Sequence, residues 1–105
     1  MVLLDVRGLA SYTDFLLILS GRSTRQLVAL ADHLLRQSKE LKIKPFSQEG
    51  RTQGRWVLLD YGSVVVHLFL DEVREYYDLE SLWSEAGRYS WRADDPDPDI
   101  QKEAG

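Results

Sequence analysis

Two residues in the middle of the chain carry the side chains best suited to proton transfer. His67 interrupts an otherwise apolar run, residues 64–70, and Asp60 lies near the end of the preceding run. A histidine and a carboxylate form a general-base pair when they lie within hydrogen-bonding reach of each other and of a nucleophile. The strand pairing predicted below keeps them several residues apart, with no obvious nucleophile between them. A histidine hydrogen-bonded in or beside the core is the favoured interpretation of His67, and contact with a partner is the alternative.

The turn Ser20–Ser23 lies between a predicted strand and a predicted helix, where backbone amides can bind an anion. It lacks the lysine and the glycine spacing of a phosphate-binding P-loop. Two-metal phosphoryl chemistry needs rigid paired carboxylates, and no Asp-x-Asp or Asp-x-Glu pair lies on a predicted strand. We therefore favour a turn and helix cap over a nucleotide site.

Composition excludes several other kinds of chemistry. The chain has no cysteine and two histidines, so disulfides, thiolate metal sites and sulfur nucleophiles are excluded. We expect no catalytic residue, no metal and no cofactor. No apolar run reaches the ~20 residues that span a bilayer, and the N-terminus lacks the layout of a signal peptide. We therefore expect a cytoplasmic protein.

The charges are unevenly distributed along the chain. Residues 94–105 carry the whole net charge of -4. Residues 22–55 hold eight Lys or Arg against three acids, whereas residues 56–93 hold seven acids against three Arg. An acidic region suits a basic protein surface, because complementary potentials steer association. Solvated charge without a partner is the alternative.

Hydrophobic periodicity predicts a single α/β domain, residues 1–86, in which a mixed β-sheet packs with helices. The tail, residues 87–105, is acidic, and we expect disorder from about residue 94 because that stretch has almost nothing apolar to bury. Strands are predicted at residues 2–6, 14–19, 45–49, 56–59 and 64–70, and helical segments at 71–77 and around 79–83.

The longest predicted helix begins after Ser23. Its buried face is expected to consist of Leu27, Leu30, Ala31, Leu34 and Leu41, which follow helical spacing. Ser23 and Gln26 match a capping box, Asp32 and Arg36 an i, i+4 ion pair, and Pro45 should end the element.

Residues 56–59 and 64–70 should form a hairpin with Gly62 in the left-handed conformation. The favoured pairing sets Leu59 opposite Ser63, so that His67 lies on the face of Val57 and Trp56 on the other face. A two-residue turn would instead set Trp56 opposite His67.

The acidic region is also rich in large aromatic residues, namely Trp56, Tyr76, Tyr77, Trp83 and Trp91. Such rings contribute strongly to protein interfaces, although most aromatic side chains lie in cores. Rings beside acids do not resemble a nucleic-acid platform, which would interleave them with Lys and Arg.

Together these motifs resemble the ribosomal silencing factor (RsfS, Iojap) family. The matching motifs, in order, are Thr13–Phe15, Ser20–Ser23, Arg25–Gln26, Lys44–Pro45, Glu49–Gly50, Trp56–Gly62, Val64–His67 and Arg74–Trp83. The resemblance spans about residues 3 to 83. Family members usually carry a helical segment before the first strand, and Ser63 stands where they commonly have aspartate.

The resemblance implies a sheet similar to the nucleotidyltransferase fold without a catalytic centre. It also implies binding to the fourteenth protein of the large ribosomal subunit, which blocks joining of the small subunit and represses translation. By motif position, the expected contact residues are Trp56, Asp60, His67, Asp71, Glu72, Glu75, Tyr77, Leu79 and Trp83. A catalytically inactive nucleotide-binding protein using Gly21 to Ser23, or a homodimeric scaffold using Trp56, is the alternative.

Overall fold

A computed structural model of the chain describes residues 1–90 and 101–103. The elements, in chain order, are β1 (Val2–Asp5), β2 (Phe15–Gly21), α1 (Thr24–Glu40), β3 (Ser47–Glu49), β4 (Trp56–Asp60), β5 (Val64–Leu70), α2 (Asp71–Tyr77), α3 (Leu79–Leu82), β6 (Gly87–Ser90) and β7 (Gln101–Glu103). Within the described residues no helix is long and apolar enough to cross a membrane.

The seven strands form one mixed sheet in the order β3-β4-β5-β2-β1-β6-β7. The central pair, β2 and β5, is parallel, and the other neighbouring strands are antiparallel. A parallel pair needs a crossover connection, and α1 supplies it here. The predicted α/β class with a mixed sheet is confirmed.

The sheet buries apolar side chains on both faces. On the α1 face, Leu27 and Ala31 of α1 pack with Leu68 of β5 and its neighbours. On the α2 face, Val73 of α2 packs with Ile18 and Phe69. Because the central strands are covered on both sides, β2 and β5 are almost continuously apolar in sequence.

The start of α1 is confirmed, whereas its predicted end is wrong. Ser23 caps the helix by accepting the backbone N–H of Gln26 at 3.1 Å, and the Gln26 side chain accepts the backbone N–H of Arg22 at 2.7 Å. The helix ends at Glu40, five residues before Pro45, because Lys42 adopts a left-handed conformation (φ 62°) that breaks the helical repeat. Leu41 therefore leaves the buried face and is 72% exposed.

The predicted ion pair within α1 is also replaced. Asp32 pairs with Arg51 from the connection between β3 and β4. The contact ties this loop to α1 across the sheet edge, a tertiary arrangement that helical spacing cannot predict.

The predicted hairpin register is wrong. The structure pairs Trp56 with Phe69 and Leu58 with His67, which places Trp56 and His67 on the same face. Gly62 is left-handed as expected (φ 84°), but the turn lies one residue further along the chain than in the favoured pairing, because β4 ends at Asp60 and β5 begins at Val64. The Gly62 N–H donates to the Asp60 carboxylate at 2.8 Å, and the Tyr61 N–H donates to the Val64 carbonyl at 2.9 Å.

The sheet extends past the predicted domain boundary at residue 86. Residues 87–90 form β6 and pair with β1, and the backbone of residues 101–103 pairs with β6. The pairing satisfies backbone groups of β1 that would otherwise form an open edge. The remainder of the predicted disordered stretch, and Trp91, lie outside the described residues.

Candidate functional site

Helix α2 carries exposed acids on an anchored backbone. It begins directly after β5, and its one buried side chain, Val73, packs into the core on the α2 face. Asp71, Glu72 and Glu75 are exposed. The first two lie in the first turn, where the helix dipole favours negative charge. The helix therefore holds three carboxylates at the surface with little freedom of its backbone.

Aromatic rings lie beside these acids. Trp56 packs against Tyr77 with ring centroids 4.7 Å apart and against Phe69 at 4.8 Å. Tyr76 meets Tyr77 edge-on at 5.1 Å. Phe69 is buried, whereas Tyr77 is 52% and Tyr76 82% exposed. The cluster thus runs from the core outward to two exposed rings.

His67 lies beneath this cluster and is 6% exposed. Its Nδ1 accepts a hydrogen bond from the indole Nε1–H of Trp56 at 3.0 Å. Burial lowers the pKa of His67 from its usual 6.5 to about 4. The imidazole is therefore neutral near pH 7, as an acceptor at Nδ1 requires.

Two open cavities flank the rings. One, of about 340 Å³, is lined by Arg55, Glu72, Val73, Tyr76 and Tyr77. The other, of about 370 Å³, is lined by Glu49, Gly50, Gln53, Trp56 and Leu58. The contact between Trp56 and Tyr77 lies between the two cavities. We call the exposed part of this region the acidic-aromatic surface, which comprises Trp56, Asp71, Glu72, Glu75, Tyr76 and Tyr77.

Leu79 and Trp83 support this surface from below. Both are partly buried against the core on the α2 face. Nearby, Arg74 donates to Glu80 at 3.0 Å and to the Ser20 hydroxyl at 2.7 Å. These bonds connect α2 and α3 to the end of β2 and fix the position of both short helices.

Asp60 is not part of the surface. It lies at the opposite end of β4 from Trp56, about 13 Å away along the strand. Its carboxylate accepts the Gly62 N–H. Asp60 thus belongs to the hairpin turn, and its carboxylate does not form the general-base pair with His67.

Two strongly exposed side chains, one in the acidic-aromatic surface and one on α3, were absent from the expected contact residues. Tyr76 is 82% and Leu82 71% exposed. Tyr76 is one of the large aromatic residues of the acidic region, and that composition is the sequence signal that could have included it. No comparable signal singles out Leu82.

The Ser20–Ser23 turn is used as a helix cap. The cap occupies the amides of Arg22 and Gln26 with side-chain acceptors. Among the described residues no group of three His, Cys, Asp or Glu is placed to hold a metal ion.

These features define a class of small α/β domain with a mixed sheet and an exposed acidic and aromatic surface. The chain belongs to the ribosomal silencing factor family, because the family model described as "Ribosomal silencing factor during starvation" matches residues 1–104. Silencing of ribosomes, for which the family is named, is not an enzymatic activity.

Individual relatives agree with this assignment. The chain is 40% identical over 80 residues to the ribosomal silencing factor of Haemophilus influenzae, covering 76% of this chain and 78% of that protein. It is 45% identical over 76 residues to mouse "Mitochondrial assembly of ribosomal large subunit protein 1", covering 70% of this chain and 33% of that one. A crystal structure of a Chromobacterium violaceum protein superimposes with a TM-score of 0.76 at 35% identity, covering 95% of this chain and 78% of that one.

Proposed function

We propose that this protein represses translation by binding the large ribosomal subunit through the acidic-aromatic surface. The proposed partner is the fourteenth protein of the large subunit. Support comes from the family and from the mouse relative, whose name refers to the ribosomal large subunit. The observation that carries the proposal is the exposure of Glu72 and Glu75 beside Tyr76 and Tyr77 on one anchored helix.

The chemistry of this surface fits a basic protein partner. Exposed carboxylates attract Lys and Arg from a distance, and exposed Tyr and Trp rings supply apolar contact area once the partner is close. Ribosomal proteins bind RNA and are rich in basic residues, so opposite charges meet. We propose the cytoplasm as the place of this association, since the bacterial relatives are named as ribosomal silencing factors.

The proposed mechanism is steric. The domain measures 33 × 30 × 29 Å. The two ribosomal subunits join through contacts at hydrogen-bonding distance, and a body of this size between them prevents such contacts. Repression then needs no catalysis and depends only on occupancy of the docking face.

Charge reversal on α2 tests the proposal. We expect Glu75→Lys to weaken co-sedimentation with isolated bacterial large subunits about tenfold, equivalent to ~1.4 kcal/mol. Glu40→Lys is the matched control, since it makes the same charge change at another exposed helical position, the end of α1. Equal binding of the two variants would contradict the proposed surface, and absence of wild-type binding at low salt would contradict the function.

Self-association is a separate proposal that does not exclude ribosome binding. A homodimer through the Trp56 face would cover the same rings. Sedimentation equilibrium distinguishes the two states, since a monomer has a mass of 12.1 kDa and a dimer twice that. Competition between dimer formation and large-subunit binding would indicate that both use one surface.

A further inference from the structure

The position of His67 is unusual for a histidine. Its strand neighbours are Ile18 on β2 and Leu58 on β4, and it is 6% exposed. An aliphatic side chain could be buried here without desolvating any polar atom, whereas burial of an imidazole removes the hydration of its two nitrogens. The single hydrogen bond the described residues show for its side chain goes to Trp56. The imidazole also stacks on Phe69, with ring centroids 5.8 Å apart, but the hydrogen bond to Trp56 is the polar contact that an aliphatic residue could not make.

The bond has two consequences for Trp56. Indole has one donor and no acceptor, so Nδ1 of His67 must be the acceptor and the ring of Trp56 is fixed in rotation. Trp56 also lines the 370 Å³ cavity and supports Tyr77. A partner that covers Trp56 would bury its N–H, and a buried donor without an acceptor is costly. His67 satisfies that donor from within the protein before any partner arrives.

We propose that His67 is a positioning residue for the acidic-aromatic surface: its neutral imidazole holds the Trp56 indole in the orientation in which a partner can cover it. This inference rests on the proposed function and deepens it. It also reassigns His67, which the family resemblance implied as a contact residue. His67 acts through Trp56 and from beneath the surface.

Two isosteric variants separate positioning from simple packing. Asn places its carbonyl oxygen close to where His67 has Nδ1. Leu has nearly the same shape as Asn but carries no hydrogen-bond acceptor. If His67 only packs, His67→Leu should be the better folded and the better binding variant, because Asn buries an amide. If His67 positions Trp56, His67→Asn should bind more tightly than His67→Leu, although His67→Leu is the more stable variant.

The readout is binding to isolated bacterial large subunits combined with NMR of the Trp56 indole. We expect His67→Leu to bind about tenfold more weakly than the wild type, and His67→Asn to stay within about threefold. In a chain labelled with ¹⁵N-tryptophan, the Trp56 indole proton, assigned with Trp56→Phe, should exchange slowly in the wild type and His67→Asn and fast in His67→Leu. Urea unfolding confirms that both variants are folded.

Wild-type affinity in a folded His67→Leu chain would overturn the proposal, as would equal indole exchange in the wild type and His67→Leu. If the wild type binds no large subunit, the proposed function fails. The indole exchange rates then still decide whether His67 holds Trp56, because that measurement needs no ribosome.

Discussion

At the scale of single residues, the structure separates exposed side chains from those that are buried or held within a turn. Glu72, Glu75 and Tyr77 are exposed, whereas His67 is buried and Asp60 is bound within a turn. Sequence motifs grouped all five together. A motif records which residues occur together along the chain, and burial depends on which face of the sheet each one occupies.

The buried histidine predicts a specific pH dependence of stability. The unfolded chain protonates His67 near 6.5, and the folded chain near 4. Stability is therefore unaffected above pH 7 and falls as pH drops from 6.5 to 4, because only the unfolded chain gains the proton. The loss is up to about 3 kcal/mol and levels off below pH 4.

Urea unfolding of the wild type and His67→Leu between pH 7.5 and 4.5 measures this effect. The difference between the two free energies of unfolding isolates His67, since the carboxylates are common to both. A difference that stays constant over this range would show that His67 titrates normally in the folded chain.

Gly50 is a second residue with a defined physical role. It has φ +85°, and an added Cβ would lie 1.9 Å from the Trp56 carbonyl oxygen. Gly50→Ala should destabilise the protein by roughly 2–4 kcal/mol through this clash and the backbone strain. Gly8→Ala is the control, because Gly8 has φ +81° with nothing within 4 Å of an added Cβ. Chemical denaturation should show the smaller loss for Gly8→Ala, and equal losses would mean that the clash near Trp56 relaxes.

At the scale of elements, local signals predicted the beginnings of helices better than their ends. The cap at Ser23 depends on residues three positions apart, so it is visible in the sequence. The end of α1 depends on Lys42 adopting a left-handed conformation, although lysine has no preference for it. Runs of β-branched, aromatic and other apolar residues predicted the strands β4 and β5, but their register depends on where the turn is closed, by the hydrogen bond from the Tyr61 N–H to the Val64 carbonyl.

The cap at Ser23 can be tested directly. Ser23→Ala removes the acceptor for the Gln26 N–H and should cost about 1 kcal/mol, a fall in Tm of roughly 4–8 °C. Ser23→Asp keeps an acceptor and should restore most of the loss. Calorimetry provides both values, and an unchanged Tm in Ser23→Ala would indicate that the Gln26 side chain alone maintains the cap.

At the scale of the whole molecule, charge counting along the sequence anticipated an acidic region, and the structure gathers part of it on α2. The charge count did not anticipate that Arg55 would line a cavity beside Glu72. The folded path of the connection between β3 and β4 brings these residues together, and nothing in the linear order of charges indicates this.

The same charge distribution predicts how ionic strength affects binding. If carboxylates of α2 attract a basic partner, raising salt from 50 to 300 mM should lower the association rate with large subunits several-fold. Glu75→Lys should show a smaller salt dependence than Glu40→Lys. Stopped-flow or surface-based kinetics measures both, and salt-independent association of the wild type would remove the electrostatic part of the account.

The central claim is that occupancy of the acidic-aromatic surface by the large subunit prevents subunit joining, and light scattering of mixed ribosomal subunits tests it most directly. The wild type, incubated first with large subunits, should suppress the scattering increase when small subunits are added, and Glu40→Lys should do the same. Glu75→Lys should need about tenfold more protein for the same suppression, in line with its weaker binding. Normal subunit joining in the presence of large subunits saturated with the wild-type protein would contradict the account.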